Sequence, residues 1–153
     1  MTTEDTSFAQ QKADVDETAL VTALEQALQA TLFTSTLRIA PRRIRQIAQQ
    51  KGATFCRFLQ QPGDTATIYA QGQHLATEGI GHRAILSMVA VIYRHTWSAC
   101  DTMVDTLALY SGALLEGYMT EREAHVLREQ ERTRLAWERA RSNMQAGESS
   151  PEA

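Results

Sequence analysis

Between Met119 and Gly147 the chain contains neither proline nor glycine, and Glu and Arg dominate it. The preceding residues are of another kind. In "SGALLEGYMTEREAHVLREQERTRLAWERARS", Ser111 to Ser142, the part up to Met119 is apolar enough for a core. The part after Thr120 is charged, yet it is built from good helix formers with nothing to stop a helix. A helix that continues past the core supporting it needs either another surface to meet its charged half or support in solvent from pairs such as Glu131 with Arg134 and Glu138 with Arg141.

The rest of the chain fits an almost entirely α-helical protein. Three prolines and eight glycines fall mostly at segment edges, between stretches rich in Ala, Leu, Gln, Glu and Arg. Leu20, Leu24, Ala27, Leu28 and Leu32 repeat at helical spacing and predict a first helix over 16–32. Pro41 suits the first turn of a second helix, with Ile44, Ile47, Ala48, Phe55, Phe58 and Leu59 inward, until "QQPGD" ends it. Gly52 is a place where that helix could bend or split. Asp64 can cap a third helix carrying Ile68, Tyr69 and Leu75, and "TEGIGH" marks a turn. The fourth, over 82–96, is apolar nearly all round and is expected to be the most buried. A fifth helix is expected from Ser98 or Asp101 to about Arg141, ~60 Å long at 1.5 Å per residue.

This pattern predicts an all-α chain with a disordered tail over 1–13, a helical core over 14–119, an extended helix over 120–142 and a disordered tail over 143–153. Its 153 residues, 43% of them hydrophobic, suffice for one core. A formal net charge of −3 offers no general attraction for nucleic acid or an anionic membrane. No apolar run approaches the ~18 residues of a membrane span, and the acidic "MTTEDTSFAQ" is unlike a secretory signal, so a cytoplasmic location is expected. Cys56 and Cys100 lie outside any CxxC pair and read as small apolar residues.

Chemistry-bearing constellations are sparse. GxSxG, HExxH and GxxxxGK[ST] signatures are absent, and no set of nucleophile, base and orienting group stands out, so no enzyme and no catalytic residue is predicted. Glu78, His82 and Arg83 form the one polar cluster beside glycines, a possible ligand or partner turn at a helix start, although capping alone accounts for such residues. His74, His82, His95 and His125 include no i,i+4 pair; no metal site or cofactor is predicted, and His95 is the residue to bind haem were one present. Arg38, Arg42, Arg43, Arg45 and Lys51 make a basic helix that reads as a solvated or protein-docking face rather than a DNA-reading element.

"LALYSGALLEGYMTEREAHVLREQERTRLAW", together with "ATEGIGHRAILSMVAVIYR", resembles the N-terminal sensor modules of RsbR-type stressosome proteins, bacterial signal-transduction regulators whose modules are globin-like and haem-free. The resemblance covers 64–137 and is strongest over 107–137. It implies a globin-like helical bundle whose long C-terminal helix signals to an output domain or separate protein partner, in a stress response. It carries over no catalytic residue. The expected function is a non-enzymatic sensor or interaction domain that forms a parallel homodimer and relays a signal through its last helix, with Leu107, Tyr110, Leu114, Gly117, Tyr118, Leu127 and Leu135 as dimer or relay residues. The alternative is a globin-like domain holding haem or a small apolar ligand.

Overall fold

The computed structural model describes residues 15–32, 39–97 and 103–148. They form five helices: α1 (Glu17–Leu32), α2 (Pro41–Gln60), α3 (Thr65–Thr77), α4 (His82–Trp97) and α5 (Val104–Glu148). There is no strand among the described residues, so the chain is all-α as its composition predicts. The expected tail over 1–13, residues 149–153 of the tail expected over 143–153, Cys100, Arg38 and the proposed start of the fifth helix at 98–101 lie outside the described residues. Residues 143–148, expected in a tail, instead continue α5. Met144, Gln145 and Ala146 are tolerated in a helix, and no proline occurs between Pro62 and Pro151.

Local chemistry sets the helix starts. The carboxylate of Asp16 accepts the Ala19 amide at 3.1 Å ahead of α1. Pro41 occupies the first turn of α2, where no amide is needed. Asp64 caps α3 by accepting from the Thr67 amide at 3.1 Å and the Thr67 hydroxyl at 2.5 Å. Those bonds hold its carboxyl below the usual carboxylate range, the Thr67 side chain contributing most. At the end of α3, Gly79 takes a φ of 81° and the Ile80 amide reaches back to the Leu75 carbonyl at 3.1 Å. The Gly79 amide bonds the Ala76 carbonyl at 3.0 Å, completing a Schellman ending that satisfies the last carbonyls.

The helices enclose one core. Leu20, Leu24 and Leu28 of α1 are fully buried, and α1 packs on α2 and α4. Gly52 neither bends nor splits α2, which passes through it; a Cβ there would stand 2.5 Å from Cγ2 of Val21 on α1. Phe55 and Phe58 of α2 meet the ring of Tyr110 on α5, with centroids 4.8 and 5.5 Å apart. α4 is not apolar-buried all round. It rests on α1 and α5 and leaves Leu86 and Trp97 in solvent, because the described chain places no element against its far side.

α3 and α5 make the closest approach. A Cβ on Gly72 would fall 2.1 Å from the Leu114 carbonyl oxygen, and one on Gly117 would fall 2.0 Å from that of Tyr69. The two backbones therefore touch where neither glycine carries a side chain. The Tyr118 hydroxyl donates to the Ile80 carbonyl at 2.6 Å, tying the turn after α3 to α5. Burial pushes its pKa up.

Two buried phenols should respond in opposite ways to loss of their hydroxyls. Tyr118→Phe leaves the Ile80 carbonyl without its donor and should cost about 1 to 3 kcal/mol. Tyr110, whose hydroxyl finds no partner among the described residues, should become Phe without loss or with a small gain. Urea midpoints of the two variants check both expectations.

Candidate functional site

The residues expected to form a dimer surface divide into two groups. Leu107, Tyr110, Leu114 and Tyr118 are buried by this chain's own helices, and Gly117 lies against α3, so none of the five is presented to a second copy. Their stripe faces inward because α3 lies along α5. Leu127 and Leu135 are exposed on the part of α5 that has left the body.

That part has a definite pattern. From His125 to Ala146 every side chain is exposed. Met119, Val126, Thr133 and Ala140 recur every seven residues, and Gln130, Trp137 and Met144 do the same between them. Alternating steps of four and three residues average 3.5, the repeat of a coiled-coil seam. Trp137 is 73% and Met144 71% exposed, the highest values among the large apolar residues. Val126, Gln130 and Thr133 share a shallow groove with His125 and Glu129. At ~100° per residue the stripe lies well round the helix from the face that meets α3, and Leu135 points nearly opposite to it. Leu127 and Leu135 instead line a second groove with Arg128, Glu131, Arg132 and Arg139.

Charged pairs support the exposed helix from its flanks. Arg134 binds Glu131 at 2.7 Å and also engages Glu138, so Glu138 pairs with Arg134 and not with Arg141 as its i,i+3 spacing allows. Arg134 holds the Glu131 carboxyl below its ordinary pKa, and these carboxylates raise that of Arg134. Arg128 reaches back to Glu121 at 2.6 Å, and Arg132 bonds Glu129 at 2.8 Å.

The polar turn is arranged differently from the cluster predicted there. Glu78 is engaged by Arg43 of α2 and by Nδ1 of His74 at 3.1 Å, whereas His82 and Arg83 stand exposed in the first turn of α4. Glu78 thus joins α2 to α3. The basic helix is also not uniformly solvated. Lys51 is only 5% exposed, with its ammonium donating to Oε1 of Gln71 at 3.3 Å. Burial, helped by the charge of Arg43, lowers its pKa from 10.5 to about 8. Lysine spacing alone gave no sign of this, because α2 also carries exposed Arg42 and Arg45.

His95 is half-buried in the last turn of α4. Cys56 is a half-buried free thiol whose pKa burial pushes up. Among the described residues, no group of three His, Cys, Asp or Glu side chains is placed to hold a metal ion, and no helix is long and apolar enough to cross a membrane. No family model matches the chain, and no curated protein or solved structure does so either.

Proposed function

We propose that this protein is a non-enzymatic regulatory sensor or interaction module that dimerises through the projecting half of α5 and relays changes in the helical body along that helix. The observation carrying this reading is the continuity of α5: one helix of 45 residues is packed in the core at Tyr110, Leu114 and Tyr118 and wholly exposed from His125 to Ala146. A lone helix of such composition is marginal in water, since most helical stability in proteins comes from a packed face. The exposed seam of Val126, Trp137 and Met144 is what a second helix would cover. The globin-like arrangement and the bacterial stress-regulator context belong to the same reading and rest on the resemblance of 64–137 to RsbR-type modules, while the cytoplasmic setting rests on the acidic N-terminal segment and the lack of a long apolar run in the sequence.

The intact chain should sediment as two copies at micromolar concentration. Trp137→Ala should weaken association by roughly thirtyfold, the effect of removing an aromatic anchor worth about 2 kcal/mol. Sedimentation equilibrium on both proteins is the test, and a parent chain that stays monomeric with α5 intact overturns the proposal.

A further inference from the structure

The exposed seam also carries information about orientation. We infer that two copies pair their projecting helices antiparallel, in the register that sets Val126 against the partner's Trp137 and Met119 against the partner's Met144. This inference rests on the dimer reading above and specifies the partner as a second copy of this chain.

Charges inside the seam distinguish the two orientations. The seven-residue spacing that places Gln130, Trp137 and Met144 in one row also places Glu116 and Glu123 in it. In a parallel pair each row meets itself, so Glu123 would face the partner's Glu123 and Glu116 the partner's Glu116. Like charges brought together in this way disfavour the pairing and partly desolvate both carboxylates. A parallel pair would gain Glu129 against the partner's Arg134 across its flank, but Arg134 is already held by Glu131 and Glu138. That exchange of exposed partners offsets little.

An antiparallel pair brings one row against the other. With its centre between residues 131 and 132, the layers become Met119 with the partner's Met144, Val126 with the partner's Trp137, and Gln130 with the partner's Thr133. Glu123 then meets the small side chain of the partner's Ala140, in the layer between the 119–144 and 126–137 pairs, where it faces no second carboxylate. Apolar layers lie on each side of a polar centre whose amide and hydroxyl can bond each other. No carboxylate faces a carboxylate. On the flank, Leu127 falls beside the stem of the partner's Arg134, which can cover it while the guanidinium stays in water. The two helical bodies stand at opposite ends of the shared rod. The buried face of α5, which holds α3, remains free of the contact.

Single-cysteine variants Met119→Cys and Met144→Cys, in a chain with Cys56 and Cys100 replaced by Ser, read the orientation directly. Mixed and mildly oxidised, they should give a cross-linked 119–144 pair as the dominant product. Met119→Cys alone should scarcely self-link, because its two sulfurs would stand about 37 Å apart at 1.5 Å per residue. Glu123→Cys mixed with Ala140→Cys supplies a second pair in the same register, away from Trp137, should either methionine variant be poorly helical by circular dichroism. Ready self-linking of Met119→Cys overturns the antiparallel register and leaves the dimer standing, as does a sedimenting dimer that gives neither mixed product. A monomeric parent chain overturns both.

Discussion

Gly117→Ala should destabilise the protein by on the order of 1 to 3 kcal/mol, whereas Gly112→Ala on the same helix should stabilise it by up to ~1 kcal/mol. Both replace a helical glycine with the best helix former, so intrinsic propensity favours both equally. Their surroundings decide the sign. A Cβ at Gly112 meets nothing within 4 Å, but one at Gly117 would lie 2.0 Å from the Tyr69 carbonyl oxygen and 2.8 Å from its carbon. Backbone atoms cannot rotate aside as a side-chain tip can, so α3 and α5 must separate. Gly72→Ala should behave like Gly117→Ala, since its Cβ would lie 2.1 Å from the Leu114 oxygen and 2.8 Å from the Tyr118 nitrogen. Gly117→Leu should be worse than Gly117→Ala. Thermal melts of the four variants make the comparison, and a Gly117→Ala protein as stable as the parent would refute the close packing of α3 on α5.

Lys51→Met should stabilise the fold at neutral pH, and its advantage should disappear as pH rises. The lysine pKa is lowered from 10.5 to about 8 in the folded state, chiefly by burial, so folding disfavours its charged form. Between those values the unfolded chain binds more protons than the folded one, and the parent's stability therefore gains from Lys51 as pH increases. Below about 8 the penalty is fully present; near 10.5 it is gone. At about 1.4 kcal/mol per pKa unit, the difference between parent and variant should shrink by on the order of 3 kcal/mol across that window. Comparing the two proteins isolates Lys51. The Cys56 thiol and the Tyr110 and Tyr118 phenols, all with raised pKa values, lose stability at high pH in both proteins alike. Urea unfolding at a series of pH values gives the curve, and a constant difference would remove the case for a desolvated ammonium.

The helices were legible in the sequence because their ends carry local signals: Pro41 for α2, Asp64 for α3, and Gly79 and Gly81 in the turn before α4. Their mutual packing was much less so. Gly117 stands out in a helical stretch and invites a crossing with a second copy, for which alanine would be mild. Its neighbour is in fact Tyr69 of the same chain, beside Gly72, and no periodicity along one helix reveals which other helix approaches it. Lys51 reads as one more basic residue because its burial depends on how α3 brings Gln71 to it. The exposed stripe is a different case. Leu127 and Leu135 attract notice as leucines, yet the seven-residue recurrence of Met119, Val126, Thr133 and Ala140 was present in the letters. Its mixed residue types hide a regular spacing that exposure makes plain.

The glycine contact between α3 and α5 has a mechanical consequence. Were α5 to tilt about it, the helix beyond Gly117 would be a lever arm of about 46 Å at 1.5 Å per residue. A change of only ~5° in the crossing angle would sweep the far end at Glu148 through about 4 Å, close to the ~5.4 Å pitch of one helical turn. The same rotation would move Trp137 by about 2.6 Å and Met144 by about 3.5 Å, so a tilt that barely shifts the buried side chains around Leu114 grows along the exposed seam toward the scale of a helical turn.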